Sequence, residues 1–242
     1  MHRRFGASAT EKDANVMDER TLASYIDQTL LKPTVGLAEA GEWMEANREF
    51  GFATLCVSPF LVPLASQRLA GSATAVCSVA GFPLGYSLTE TKAEESVHLV
   101  ELGCAEVDMV VNIAALLEGE DALVRDDIKA VVDAVESISG GEAFVKVILE
   151  TGYLEERDVV RGCELAVEAG AAFVKTSTGF GPRGASVRDV ELMRATVGPD
   201  IGVKAAGGIR DLDAALAMID AGATRVGTSA GSEILAQLRA RA

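Results

Sequence analysis

The stretch AAFVKTSTGFG, residues 171–181, places one lysine inside what otherwise reads as a buried strand. Two other segments repeat the pattern: AFVKVILET carries Lys146 and IGVKAAGGIR carries Lys204, each directly after a valine in a short apolar run. The same 29-residue step separates Lys146 from Lys175 and Lys175 from Lys204. A period of that size holds one strand, one helix and two connections, so the three lysines take equivalent positions on successive βα units.

Working outward, eight strand candidates centre on SYIDQT (24–29), FATLCV (52–57), TAVCSVAG (74–81), EVDMVVNI (106–113), FVKVILET (144–151), FVKTST (173–178), IGVKAAGG (201–208) and RVGTSA (225–230). Helical patterns lie between them. LAEAGEWMEANREFG, TETKAEESVHLVELG, DALVRDDIKAVVDAVESISGG, YLEERDVVRGCELAVEAG and DLDAALAMIDAGAT repeat apolar residues at three- and four-residue steps and stop at glycine. No Pro/Gly/Ser-rich linker interrupts the alternation, so a single domain is expected over 17–242, after a loose tail over 1–16. Eight βα units predict an α/β fold, a (β/α)8 TIM barrel, with its working face at the C-terminal ends of the strands. The alternative, an open doubly wound sheet, carries a GxGxxG turn after its first strand, and no such turn follows the first strand here.

Composition agrees. Of 242 residues 49% are hydrophobic and only 5% aromatic, the diet of a parallel sheet packed with Val, Ala, Leu and Ile. A net charge of −14 argues against a nucleic-acid surface, which needs a basic footprint, while an anionic small substrate remains compatible if cations are local to its site. Cys56, Cys77, Cys104 and Cys163 contain no CxxC pair, and His2 and His98 are the only histidines, so neither a zinc site nor a disulfide framework is expected. Residues 1–20 lack the apolar core of a signal peptide and no run approaches a membrane span, which predicts a cytoplasmic protein with no membrane partner.

Side chains alternate along a barrel strand, so Lys146, Lys175 and Lys204 can all point to the axis. One strand lysine alone reads best as a structural cation; three in register do not. Burial and neighbouring like charge both disfavour the ammonium, and a lysine brought down to about 7 or 8 is a usable nucleophile, a role closed to arginine. Lys175, on the middle strand of the three, is expected to feel this most. Asp108 in EVDMVVNI and Asp27 in SYIDQT are the candidate proton handlers, or else salt-bridge partners of the lysines. Gly179, Gly207, Gly208, Gly227 and Ser229 follow the strands where barrels often bind phosphate on exposed backbone N–H groups.

IDQTLLKP, ATLCVSP, VCSVAGFPLG, EVDMVVNI, VKVILET, VKTSTGFGPRGA, VKAAGGIR and GTSAG, from Leu22 to Ser232, resemble the deoxyribose-phosphate aldolases, lysine-dependent class I aldolases with a barrel fold. The resemblance implies reversible cleavage of 2-deoxy-D-ribose 5-phosphate to D-glyceraldehyde 3-phosphate and acetaldehyde through a Schiff base. It implies Lys175 as the Schiff-base former, Lys204 as the residue that lowers its pKa, Asp108 as the proton relay, and phosphate contacts at Gly179, Gly207, Gly208, Gly227 and Ser229. Lys146, Asp27 and Cys56 support, with Cys56 near the mouth of the site. No metal or organic cofactor and a homodimer are implied as well. Departures from the family pattern are Gln28, where many members have histidine, Ser58 in place of asparagine, and the ending LRARA, which lacks a tyrosine some members carry. Competing readings are a lysine aldolase for another sugar phosphate and a non-catalytic sugar-phosphate-binding barrel.

Overall fold

The computed structural model describes residues 17–241; the expected tail over 1–16, with His2, lies outside them. Eight strands, β1 (Ile26–Leu30), β2 (Thr54–Val57), β3 (Ala75–Ala80), β4 (Glu106–Val110), β5 (Phe144–Ile148), β6 (Phe173–Lys175), β7 (Gly202–Ala206) and β8 (Arg225–Thr228), pair in parallel in chain order. β8 pairs back onto β1 and closes the barrel. Outside it run α1 (Glu19–Ser24), α2 (Leu37–Asn47), α3 (Val62–Arg68), α4 (Thr89–Glu101), α5 (Ile113–Glu118), α6 (Asp121–Ser139), α7 (Glu156–Glu168), α8 (Val187–Val197), α9 (Leu212–Asp220) and α10 (Gly231–Arg241). Among the described residues no helix is long and apolar enough to cross a membrane.

The alternation of each strand explains both faces. Val107, Val145, Val147, Val174, Val203 and Ala205 belong to the apolar shell shared with the helices. Their neighbours Asp108, Lys146, Lys175 and Lys204 therefore turn to the axis. On the helix side, Val124, Ile128, Val131 and Val135 put one buried stripe of α6 against that shell. α6 stops at Gly140 in the left-handed conformation, and α7 starts on a reciprocal cap between Glu155 and Asp158.

Register corrects one expectation. Lys175 pairs level with Lys204, but Lys146 pairs with Phe173, two residues before Lys175, and level with Asp108. The hydrogen-bonded row that joins Lys175 to Lys204 therefore does not run through Lys146, because strands in a closed barrel are sheared relative to one another. Sequence periodicity also passed over α1, α3, α5 and α8. EVDMVVNI, read as strand to 113, leaves the sheet at Val110 because Asn112 caps α5, its side chain accepting from Ala115 N. Three of these four helices have only six or seven residues, too few for a 3.6-residue period to declare itself.

Candidate active site

A cavity of about 440 Å³ opens at the C-terminal ends of β1, β6, β7 and β8. Lys175 lines it, and Lys146, Lys204 and Asp108 lie fully buried beneath. The turns after β6, β7 and β8 bring Gly179, Gly207, Gly208 and Ser229 to its wall, and Gly227 reaches it from the end of β8. Gly207 has φ of 88°, and a Cβ there would meet Gly184 Cα at 3.0 Å and Gly179 Cα at 3.5 Å, so these loops approach backbone to backbone. A cleft of about 510 Å³ at the opposite end, between α6, α7 and the start of β5, offers no lysine and holds only peripheral carboxylates such as Glu136, Glu142 and Asp200.

Below the cavity floor the charges interlock. Asp108 Oδ2 accepts from Lys175 Nζ at 2.7 Å and from Lys204 Nζ at 2.6 Å, while Oδ1 accepts from Lys146 Nζ at 2.7 Å. Asp27 meets Lys204 at 2.5 Å and Arg225 at 2.5 Å, and Glu106 meets Lys146 at 2.6 Å and Arg225 at 2.9 Å. Burial raises the cost of ionising Asp108, but the three ammonium groups outweigh it and hold this carboxyl well below its usual range. Asp27 is lowered in the same way, against burial, by Arg225, Lys204 and Lys146.

Like charge acts among the buried lysines, since Lys146 lowers Lys204, but it does not dominate there. Burial opposes the charge of Lys204, yet Asp108 and Asp27 more than offset it and push its pKa above the ordinary lysine range. Lys146 is raised likewise, against burial, chiefly by Asp108. Carboxylates from β1 and β4 stand between the cations, the salt-bridge alternative that the sequence left open for Asp27 and Asp108. The cluster still holds four cations, Lys146, Lys175, Lys204 and Arg225, against three carboxylates among the described residues. Lys175 has a single carboxylate partner, whereas Lys204 has two and Lys146 three.

Two other expectations change. Cys56 is not at the mouth: it is fully buried, pairs in register with Cys77, and its thiol pKa is lowered mainly by a hydrogen bond with Cys77. Burial pushes the Cys77 thiol well up. Cys56, Cys77 and Asp108 lie within metal-ligand spacing, but the Asp108 oxygens are already occupied by ammonium groups, which repel a further cation. Gln28 faces the helices: its Nε2 donates to Asn47 Oδ1 at 3.0 Å and its Oε1 accepts from Gly231 N at 2.9 Å. It joins β1 to α2 and α10 and lies away from the cavity. Ser58 lines an adjoining cleft of about 250 Å³ that shares Leu31 and Phe180 with the main cavity.

Sequence reasoning missed Lys32 and Arg210, which line the cavity and supply local positive charge. It also missed Glu106 and Arg225 in the buried network. Signals were present. Arg210 closes the quoted IGVKAAGGIR, and Glu106 stands two residues before Asp108, on the same strand face.

The DeoC/LacD family aldolase model matches residues 9–237. The chain is 52% identical over 217 residues to a deoxyribose-phosphate aldolase of Geobacillus sp. (strain WCH70), covering 90% of this chain and 96% of that one. It is 51% identical over 221 residues to deoxyribose-phosphate aldolase 1 of Bacillus licheniformis, covering 91% and 97%. Among solved structures, QR15, an aldolase, superposes with a TM-score of 0.85 at 40% identity over 91% of this chain and 96% of that one. The tetrameric deoxyribose phosphate aldolase of Aeropyrum pernix does so at 0.83 and 30%, over 93% and 94%.

Proposed function

The chain belongs to the DeoC/LacD family of aldolases, and from that premise we propose that it cleaves 2-deoxy-D-ribose 5-phosphate reversibly to D-glyceraldehyde 3-phosphate and acetaldehyde, with Lys175 as the Schiff-base lysine. One observation carries the assignment of residues: of the three strand lysines, Lys175 alone lines the cavity, 2.7 Å from the buried carboxylate of Asp108.

Neutral Lys175 attacks the aldehyde carbon C1 of the open-chain sugar, and loss of water from the carbinolamine gives an iminium. The C2–C3 bond breaks, its electron pair flows into the C1 iminium, and C2 becomes the terminal carbon of an enamine. The proton of the C3 hydroxyl passes through water to Asp108, so that C3 leaves as the aldehyde of glyceraldehyde 3-phosphate. Return of a proton to C2 and addition of water to the imine release acetaldehyde and the lysine. Asp108 is suited to this relay because Oδ2 touches both Lys175 and Lys204, so a proton it accepts is shared with two amines. Lys204 supplies the second positive charge at that oxygen. Lys146 and Asp27 hold the relay in place through ion pairs to Asp108 and Lys204. The 5-phosphate takes the amides of Gly179, Gly207, Gly208, Gly227 and Ser229, with Lys32 and Arg210 at the rim. A homodimer and a cytoplasmic role in deoxynucleoside breakdown complete the proposal.

The test is trapping. Incubation with acetaldehyde and borohydride, then digestion and mass spectrometry, is expected to give a dominant ethyl adduct on Lys175 that deoxyribose 5-phosphate suppresses. Lys175→Ala is expected to lose about 10⁴-fold or more in kcat while remaining folded. Adducts confined to surface lysines, or an active Lys175→Ala, would overturn the assignment.

A further inference from the structure

Glu150 is the penultimate residue of AFVKVILET and, among the described residues, the one non-glycine residue at positive φ (59°). A Cβ makes that backbone unfavourable, and glycine would adopt it freely, so the side chain must account for the residue. The Glu150 side chain is 1% exposed and makes no ion pair among the described residues. Its two oxygens accept from Thr178 N at 3.3 and 3.2 Å, and Thr178 Oγ1 donates to Oε2 in a short hydrogen bond. With its proton committed to Glu150, the Thr178 hydroxyl accepts from Phe180 N at 3.0 Å. Of three consecutive amides, those of Thr178 and Phe180 are therefore engaged. The amide between them, on Gly179, has no protein acceptor among the described residues, and Gly179 lines the cavity. The loop closes over the carboxylate so tightly that a Cβ at Gly181 would stand 2.8 Å from it.

We propose that Glu150 is a positioning residue: its buried carboxylate clamps Thr178 so that the Gly179 amide is offered to the phosphate of the substrate. The proposal rests on the sugar-phosphate reading given above and deepens it. Among the described residues the Glu150 side chain makes no hydrogen bond or ion pair with Lys175 or Asp108, so it acts on the phosphate end and leaves the imine chemistry alone.

Cleavage of deoxyribose 5-phosphate and of unphosphorylated 2-deoxyribose is compared in Glu150→Gly, which relieves the backbone, Glu150→Gln, Thr178→Val and Thr178→Ser. Binding of inorganic phosphate is measured by calorimetry alongside. Glu150→Gly and Thr178→Val are expected to raise KM for the phosphorylated sugar and the phosphate Kd about tenfold, with kcat/KM for 2-deoxyribose changed less than about twofold. Glu150→Gln and Thr178→Ser, which keep an acceptor and a hydroxyl, are expected to restore most of the loss. Equal losses toward both sugars, or a phosphate Kd that does not move in either Glu150→Gly or Thr178→Val, would overturn the clamp. Failure of the wild-type protein to cleave either sugar would sink the aldolase substrate reading, while a raised phosphate Kd in the variants would still support the clamp.

Discussion

Lys175 and Lys204 share one oxygen of Asp108, and their roles separate by what else each touches. Lys204 is also bound to Asp27, whereas Lys175 has only Asp108 and the cavity. Replacing Lys204 with leucine removes one positive charge from the cluster and leaves Asp108 to Lys146 and Lys175. The remaining charges then balance with Lys175 protonated, which opposes formation of the free amine. Lys204→Leu is expected to slow imine formation, lower kcat at neutral pH by about 10²-fold or more, and move the rising limb of the pH–rate profile to higher pH. Borohydride trapping rates across pH would read it; a profile that keeps its position would remove Lys204 from this role. The same charge logic bears on Asp27. It was equally readable from the sequence as a proton handler or a salt-bridge partner, and its ion pairs to Lys204 and Arg225 fit the second.

At the scale of an element, β6 and β7 carry the reactive pair, and two residues before Lys175 an aromatic contact ties β6 to β5. Phe173 stacks on Phe144 at 5.7 Å between ring centroids, and the Arg225 guanidinium lies 5.4 Å from its ring. Gly202, the register partner of Phe173, leaves the space this ring fills; a Cβ there would overlap it. Gly202→Ala is expected to destabilise the fold by about 1–3 kcal/mol, through displacement of Phe173, and to reduce activity because Lys175 and Lys204 pair two residues further on. Urea unfolding measures the first effect, and an unchanged midpoint would show that the ring yields without cost. Elements also differ in how far the sequence exposes them. α6 and α7, of 19 and 13 residues, state their period several times over, while the six-residue α1 and α5 do not.

Across the whole molecule, the buried network links β1, β4, β5, β6, β7 and β8, so its titration is a property of the closed barrel. Asp27 and Asp108 have folded pKa values below the unfolded value of about 3.9; their contribution is therefore intact above about pH 4 and is lost as pH falls toward the folded values. Lys146 and Lys204 lie above the unfolded value of about 10.4, so theirs is intact below about pH 10 and is lost only as pH rises through the folded values. Asp27→Asn is expected to cost about 3 kcal/mol at neutral pH, because it leaves Arg225 and Lys204 short of a partner, with the difference from wild type shrinking below about pH 4. Unfolding curves from pH 3 to 8 would show this, and a difference independent of pH over that range would contradict it. By itself the sequence determined the barrel, the inward parity of Lys146, Lys175, Lys204 and Asp108, and the glycine turns around the cavity. These follow from a two-residue alternation and a 29-residue repeat, both of which are local and survive in one dimension. Only the tertiary structure decided that Lys146 pairs with Phe173 and Asp108, that Cys56 is fully buried, that Lys32 and Arg210 reach the cavity, and that Glu150 grips Thr178. Each depends on barrel shear and closure, which bring together residues as distant as Asp27 and Arg225, 198 positions apart, and no local pattern encodes which of them will meet.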